Sequence, residues 1–229
     1  GAVGPVKDQI FCGSCWTFST TATIESYNAI ATKQLLVLSE QQILDCTPNP
    51  DHCGGTGGCE GGTVELAVER IVKMGGLTQE KDYPYISGGG RDYTCDQSKF
   101  KPAVKVLNYF DLPSNELAPV LRHVANLGPL SISVDASAWS FYGSGVFDGC
   151  NNQNPDIDHA VQLVGYGTDP NLGDYWLVRN SWGPSWGENG YIRLRRYPSG
   201  QTPCGIDTTP GDGDGCSGGP PTVKVCGNC

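Results

Sequence analysis

Eleven cysteines in 229 residues constrain this chain more than any other feature. They run from Cys12 to Cys229 beside a single methionine, which points to an oxidising compartment where disulfides form and persist. Their number is odd, so one thiol is left over. The candidate is Cys15, in the stretch Gln9-Ile-Phe-Cys-Gly-Ser-Cys-Trp-Thr-Phe-Ser19. From Trp16 to Ala29 there is no Gly or Pro, so a helix is predicted to start at or next to Cys15, with Ser14 as its N-cap. A thiol in the first turn meets unpaired N–H groups and the positive end of the helix dipole, which favour the nucleophilic thiolate. Gln9, six residues upstream, carries an amide that can donate to a developing oxyanion beside the Cys15 N–H. By itself Cys12-Gly-Ser-Cys15 also suits a redox dithiol, a metal knuckle or two structural cysteines.

Length and charge narrow the field. The chain is long enough for one large or two modest domains. A net charge of −9 argues against nucleic acid or an anionic membrane as partner, since phosphate binding needs a basic stripe. No apolar run approaches the ~20 residues that cross a bilayer, and there is no Asn-x-Ser/Thr sequon. An extracellular fluid or acidic vesicle fits this balance.

Periodicity divides the chain in two. Helices are predicted from Cys15 to about Ala31, with Phe18, Ala22 and Tyr27 buried, from Leu38 to Cys46, and from Thr63 to Met74, closed by Gly75-Gly76. Ser39 is the expected cap of the second helix, with Gln42 in place of the capping-box acid. Residues 47–62 are expected to be irregular and residues 77–100 a long surface connection. A strand over Ala103–Phe110 and a helix over Glu116–Asn126 come next, followed by strands at 130–134, 161–165, 175–179 and 191–195. Helices first and strands second predict an α+β protein of two lobes, residues 1–107 and 108–229, with the cleft between them as the binding site.

A base is sought among three histidines. His52 in the cysteine loop and His123 in an amphipathic helix suit structural or solvated roles. His159 stands at the mouth of the strand that continues Ala-Val-Gln-Leu-Val, and Asn180 follows the apolar strand 175–179. An imidazole that must keep one tautomer needs an acceptor on its second nitrogen, which an Asn side chain supplies.

With Cys12-Gly-Ser-Cys-Trp16, Leu44-Asp-Cys46, Gly58-Cys-Glu-Gly-Gly62, Tyr83-Pro-Tyr85, Asp158-His-Ala160, Asn180-Ser-Trp-Gly183 and Trp186-Gly-Glu-Asn-Gly-Tyr191, the chain resembles papain-like cysteine peptidases over almost its whole length, and the cathepsin L and papain group most. It lacks the His-His occluding loop of the cathepsin B kind, which weighs for endopeptidase action. The resemblance implies a two-lobed fold and no cofactor or metal. It implies Cys15 as nucleophile, His159 as its ion-pair partner and acid, Asn180 as the orienting group, Gln9 with the Cys15 amide as oxyanion hole, and Trp182 as cover over His159 and Asn180. It makes Gly61 and Gly62 a backbone edge for extended substrate, and it places Asp158, beside the catalytic histidine, and Trp182 among the substrate-binding positions. Val64, Ser133, Ile157 and Ala160 become an apolar pocket for the substrate's P2 side chain. Implied partners are protein or peptide substrates, a propeptide and cystatin-type inhibitors, acting on a monomer that is secreted or held in a lysosome or acidic digestive vacuole. The family's N-terminal arm and propeptide would lie ahead of Gly1.

The implied disulfides are Cys12–Cys59 and Cys46–Cys95, with Cys150 pairing Cys204 or a tail cysteine. Cys53, Cys216, Cys226 and Cys229 fall outside the usual set and suggest an extra clamp on an atypical Gly- and Cys-rich tail from about residue 205, where the family's closing strand has no recognisable counterpart. Asp207, Asp212 and Asp214 lack fixed ligand spacing and suit a solvated acidic loop better than a calcium site.

Overall fold

The computed structural model describes residues 1–227 and 229. Four helices come in the order α1 (Cys15–Thr32), α2 (Glu40–Cys46), α3 (Val64–Met74) and α4 (Leu117–Asn126). Between and after them run β1 (Leu77–Thr78), β2 (Pro102–Val104), β3 (Leu130–Val134), β4 (Val146–Phe147), β5 (His159–Asp169), β6 (Gly173–Arg179), β7 (Tyr191–Arg195), β8 (Cys204–Asp207) and β9 (Val223–Cys226). The main sheet has the order β3-β5-β6-β7-β4, antiparallel except for the β4–β7 edge. Helices gathered in the first half and an antiparallel-rich sheet in the second give the expected α+β, two-lobed architecture.

Two apolar cores carry it. The first joins Trp16 and Ile24 of α1 to Leu38, Ile43, Leu44, Ala67, Ile71 and Leu77, and it takes in Ala160 from β5. The second lies against the sheet, around Val134, Trp139, Tyr142, Val161, Leu163, Val178, Ile192 and Leu194. Helix α1 joins the two. It is buried on nearly every side, and its polar side chains are covered too: Thr17, Ser19, Thr20, Thr21, Glu25 and Ser26. Such groups are tolerated when bonded. Ser19 Oγ donates to the Val161 carbonyl (2.8 Å), and Gln162 Nε2 donates to Ala22 O and Ser26 Oγ (both 2.9 Å). These bonds hold the N-terminal end of α1, with Cys15, against the N-terminal end of β5, with His159.

Several details differ from the sequence expectation. Ser14 makes no side-chain cap to α1; its hydroxyl bonds Tyr85 OH at 2.9 Å instead. Ser39 does cap α2, through Gln42 N. The Gln42 side chain does not close a capping box: it reaches Gly76 O and Thr78 N, tying α2 to the chain after α3. Tyr27 is half-buried, and its hydroxyl bonds His123 Nε2 at 2.6 Å, which gives buried His123 a structural partner. The strand expected over 103–110 stops at Val104, because its partner β1 is two residues long. The connection 77–100 is not wholly at the surface: Tyr83 is buried and donates to Asp45 Oδ2 at 2.8 Å.

The tail also departs from expectation. Beyond residue 205 the chain forms a hairpin, β8 against β9. Cys204 faces Cys226 across that register, so the two join each other, and of the two partners open to Cys150 it takes the tail cysteine, Cys229. Cys53 joins Cys216. Cys12–Cys59 and Cys46–Cys95 form as the resemblance implied, and Cys15 is the free thiol. Asp207 is buried rather than solvated, its Oδ1 accepting from Thr209 N at 2.7 Å.

Candidate active site

The chain enters α1 through Gly13-Ser14, pinned by the Cys12–Cys59 bridge and by Gly13 N donating to the Cys59 carbonyl at 2.9 Å. Cys15 is thus the first residue of the helix, half-buried at the floor of the groove. Burial alone would raise its pKa. Against that act a hydrogen bond and charge attraction from His159 and bonds from the Ala160 and Trp16 N–H groups, and the net shift is below the ordinary 9.0.

His159 opens β5 and is 6% exposed. Its Nε2 lies 2.8 Å from Asn180 Oδ1. That oxygen also accepts the Ser181 N–H at 2.8 Å, so the amide presents its acceptor to the ring. The imidazole therefore carries a proton on Nε2, and Nδ1 is left for the sulfur. Trp182 lies over the ring, centroids 5.0 Å apart, and Trp139 meets it edge-on at 6.1 Å. Aromatic walls lower the local dielectric and strengthen the His159–Asn180 bond.

Gln9 is buried beside this group. Its Nε2 donates to the Cys12 carbonyl (2.9 Å) and its Oε1 accepts from Ser181 Oγ (2.6 Å), which fixes the amide between α1 and the segment carrying Asn180. Gln9, Cys15 and His159 line one cleft of about 540 Å³. All eight positions expected to touch substrate line it as well: Gly61, Gly62, Val64, Ser133, Ile157, Asp158, Ala160 and Trp182. Gly62 is glycine for a reason the sequence did not show: a Cβ there would come within 2.9 Å of the Trp16 ring. Asp158 donates nothing but accepts the Ala136 N–H at 2.9 Å, and burial pushes its carboxyl up from 3.8 to about 6.

Sequence reasoning missed one wall. Asp212, Gly213 and Asp214 of the tail also line the cleft, with Ser137 and Ser140. The only signal was the excess of cysteines: pairing of Cys53 with Cys216 brings the Gly-Asp-Gly-Asp-Gly run to the groove.

The arrangement can form a thiolate beside an oriented imidazole, with N–H donors next to it. The model of the papain family cysteine proteases matches residues 1–211. The chain belongs to the papain family. Vignain from Vigna mungo is 46% identical over 210 residues, which is 90% of this chain and 55% of that protein. The chain spans about half the length of the curated relatives it matches. Bromelain from Ananas comosus, solved in complex with the E64 inhibitor, superposes with a TM-score of 0.76 at 39% identity, covering 87% of each chain. Digestive procathepsin L 3 of Tenebrio molitor gives a TM-score of 0.74 at 34% identity over 99% of this chain and 67% of that one. No helix among the described residues of this papain-family chain is long and apolar enough to cross a membrane.

Proposed function

We propose that this chain is a cysteine endopeptidase that hydrolyses peptide bonds through an acyl-enzyme. The observation that carries the reading is the placing of one imidazole between Cys15 and Asn180. The Cys15 sulfur attacks the scissile carbonyl as thiolate while His159 holds the proton. The oxyanion forms beside the Cys15 N–H and Gln9, whose second amide hydrogen is not spent on Cys12. His159 Nδ1 then protonates the leaving amine, which completes acylation of Cys15. Water, with its proton taken by the same nitrogen, attacks the thioester and releases the acid and the free thiol. Asn180 keeps the ring in the tautomer that both half-reactions need.

Substrate runs in extended form along Gly61 and Gly62, where no side chain obstructs the backbone. Its P2 side chain enters the pocket of Val64, Ile157, Ala160 and Ser133. Three apolar walls out of four support a preference for branched or aromatic residues there. The boundary between lobes lies near residue 107: Val106 packs on the first core and Val120 on the second. A propeptide, cystatin-type inhibitors and a monomer in a secreted, lysosomal or vacuolar acidic setting complete the reading. It is tested with blocked fluorogenic peptides: Leu or Phe at P2 is cut faster than Arg, and E-64 stops hydrolysis with one label, on Cys15. Turnover surviving in Cys15→Ala would refute the mechanism.

A further inference from the structure

The loop that leads into Cys15 carries two side chains that the mechanism does not use. Ile10 and Phe11 stand between Gln9 and Cys12, and they are 56% and 85% exposed. Their segment continues the cleft wall. Asp8 at its start pairs with Trp182, and Gly13 at its end pairs with Glu60, the neighbour of the Gly61 and Gly62 edge. Gln9 and Gly13 line the cleft itself. Residues 10 and 11 are therefore strung along the rim on the approach to Cys15, where a bound peptide crosses from the acylated side of the cleaved bond to the leaving side.

The backbone beneath them is held at every residue. Tyr85 Oη donates to the Gln9 carbonyl (2.9 Å), Ile10 N to Asp8 Oδ1 (2.9 Å) and Phe11 N to Gly88 O (3.0 Å), and the Cys12–Cys59 bridge clamps the next position. Held this way, Ile10 has a φ of +56°. Among the described residues with positive φ it is the only one branched at Cβ, and for such a side chain the left-handed region is a steric outlier. Glycine would sit there without strain. Backbone strain persists where the surroundings impose it, and it gathers at functional sites. The Ile10 side chain lies over the turn at Gly88, where a Cβ would fall 2.7 Å from its Cδ1. The ring of Phe11 is left open to solvent on a fixed support. An aromatic ring with two side-chain torsions gives a large apolar contact for little lost freedom.

We infer that Phe11 is a specificity residue whose ring packs on an apolar side chain of the substrate next to the cleaved bond. Two parts of a substrate bring such a side chain to this rim: P1 on the acylated side, or P1′ and P2′ on the leaving side. This rests on the peptidase reading and adds to it a selectivity separate from the P2 pocket.

The test compares three internally quenched peptides, all with Leu at P2, on wild type, Phe11→Ser and Phe11→Tyr, each preparation normalised by alkylation of Cys15. The reference has Ser at P1, P1′ and P2′, the second has Phe at P1, and the third has Phe at P1′ and P2′; mass spectrometry confirms the bond cut. Wild type should favour one or both Phe peptides by kcat/KM over the reference. That preference should fall by about fivefold in Phe11→Ser and survive in Phe11→Tyr, which keeps the ring, and the peptide affected names the position. A fall of less than about twofold in both ratios overturns the inference, as does an equal loss in Phe11→Tyr. If Phe11→Ser does not fold, wild type decides alone, and equal rates on all three peptides overturn the inference. Wild type that cuts none of the three overturns the peptidase reading, and this inference with it.

Discussion

The floor of the cleft and its end wall are ordered by opposite means. At the floor, Cys15 and His159 open a buried helix and a buried strand, Asn180 follows a strand and Gln9 is itself buried, and hydrogen bonds inside the fold fix the side chains. At the end wall, residues 208–220 are mostly exposed and rich in glycine, with no apolar core of their own. Ordering such backbone costs ~1–2 kcal/mol per residue, and here disulfides to Cys53, Cys150 and Cys204 hold the tail. Packing holds the floor and crosslinks hold the end wall, so changes in the two regions should have separable effects.

The largest separation comes from Cys15→Ala. It should lower peptide hydrolysis by ~10⁴-fold or more with an unchanged melting temperature, read from initial rates and a thermal melt. Gln9→Ala should cost ~10²–10³ in kcat through loss of one oxyanion donor. Asn180→Ala should cost ~10–100-fold and also move the acid limb of the pH profile, because the ring loses its fixed tautomer. If these rates fall only in step with stability, the residues are scaffolding and the contrast collapses.

At the end wall the reverse holds. Replacing Cys53 and Cys216 by Ser should reduce stability by ~2 kcal/mol, the low end for a disulfide because Cys150–Cys229 still ties the tail. Urea unfolding measures this, and proteolysis should newly cut within 208–217. Hydrolysis of the blocked Leu peptide should persist. Its complete loss would mean that the end wall also holds the floor in place.

The smallest effect lies beneath the floor. Glu40 and Glu25 share Lys7, at 2.6 and 2.8 Å, and Thr21 donates to the same Glu40 oxygen. Burial pushes Glu40 up from 4.5 to about 7, in spite of the attraction of Lys7 and helped by repulsion from Glu25. Between those values the folded chain keeps a proton that the unfolded chain has released, so this group's contribution to stability falls as pH rises from 4.5 to 7 and is level above. Asp158, raised to about 6, acts in the same direction. Melting temperature should decline over that window, and Glu40→Gln should flatten the decline. An unchanged slope would remove Glu40 as its source.

What was legible in the sequence follows the same division. Cys15, His159 and Asn180 each stand at the end of a periodic helix or strand, so their elements were readable, and the family motifs brought them to one cleft. Ser14 and Gln42 misled because their local capping options lost to distant partners, Tyr85 and the chain after α3. The strand after Ala103 failed for want of a partner edge. Asp214 was unreadable for a deeper reason. Its place depends on which cysteines join, and among ten paired cysteines spacing does not settle that.

The central claim is that folding makes the Cys15 sulfur a thiolate held by His159. The most direct measurement is the rate of Cys15 alkylation by iodoacetamide against pH, with modification located by mass spectrometry. The account predicts rapid, single-site labelling below the ordinary thiol value of 9.0, and a shift of that profile toward the ordinary value in His159→Ala. Labelling that rises only near the ordinary thiol value in both proteins would contradict it.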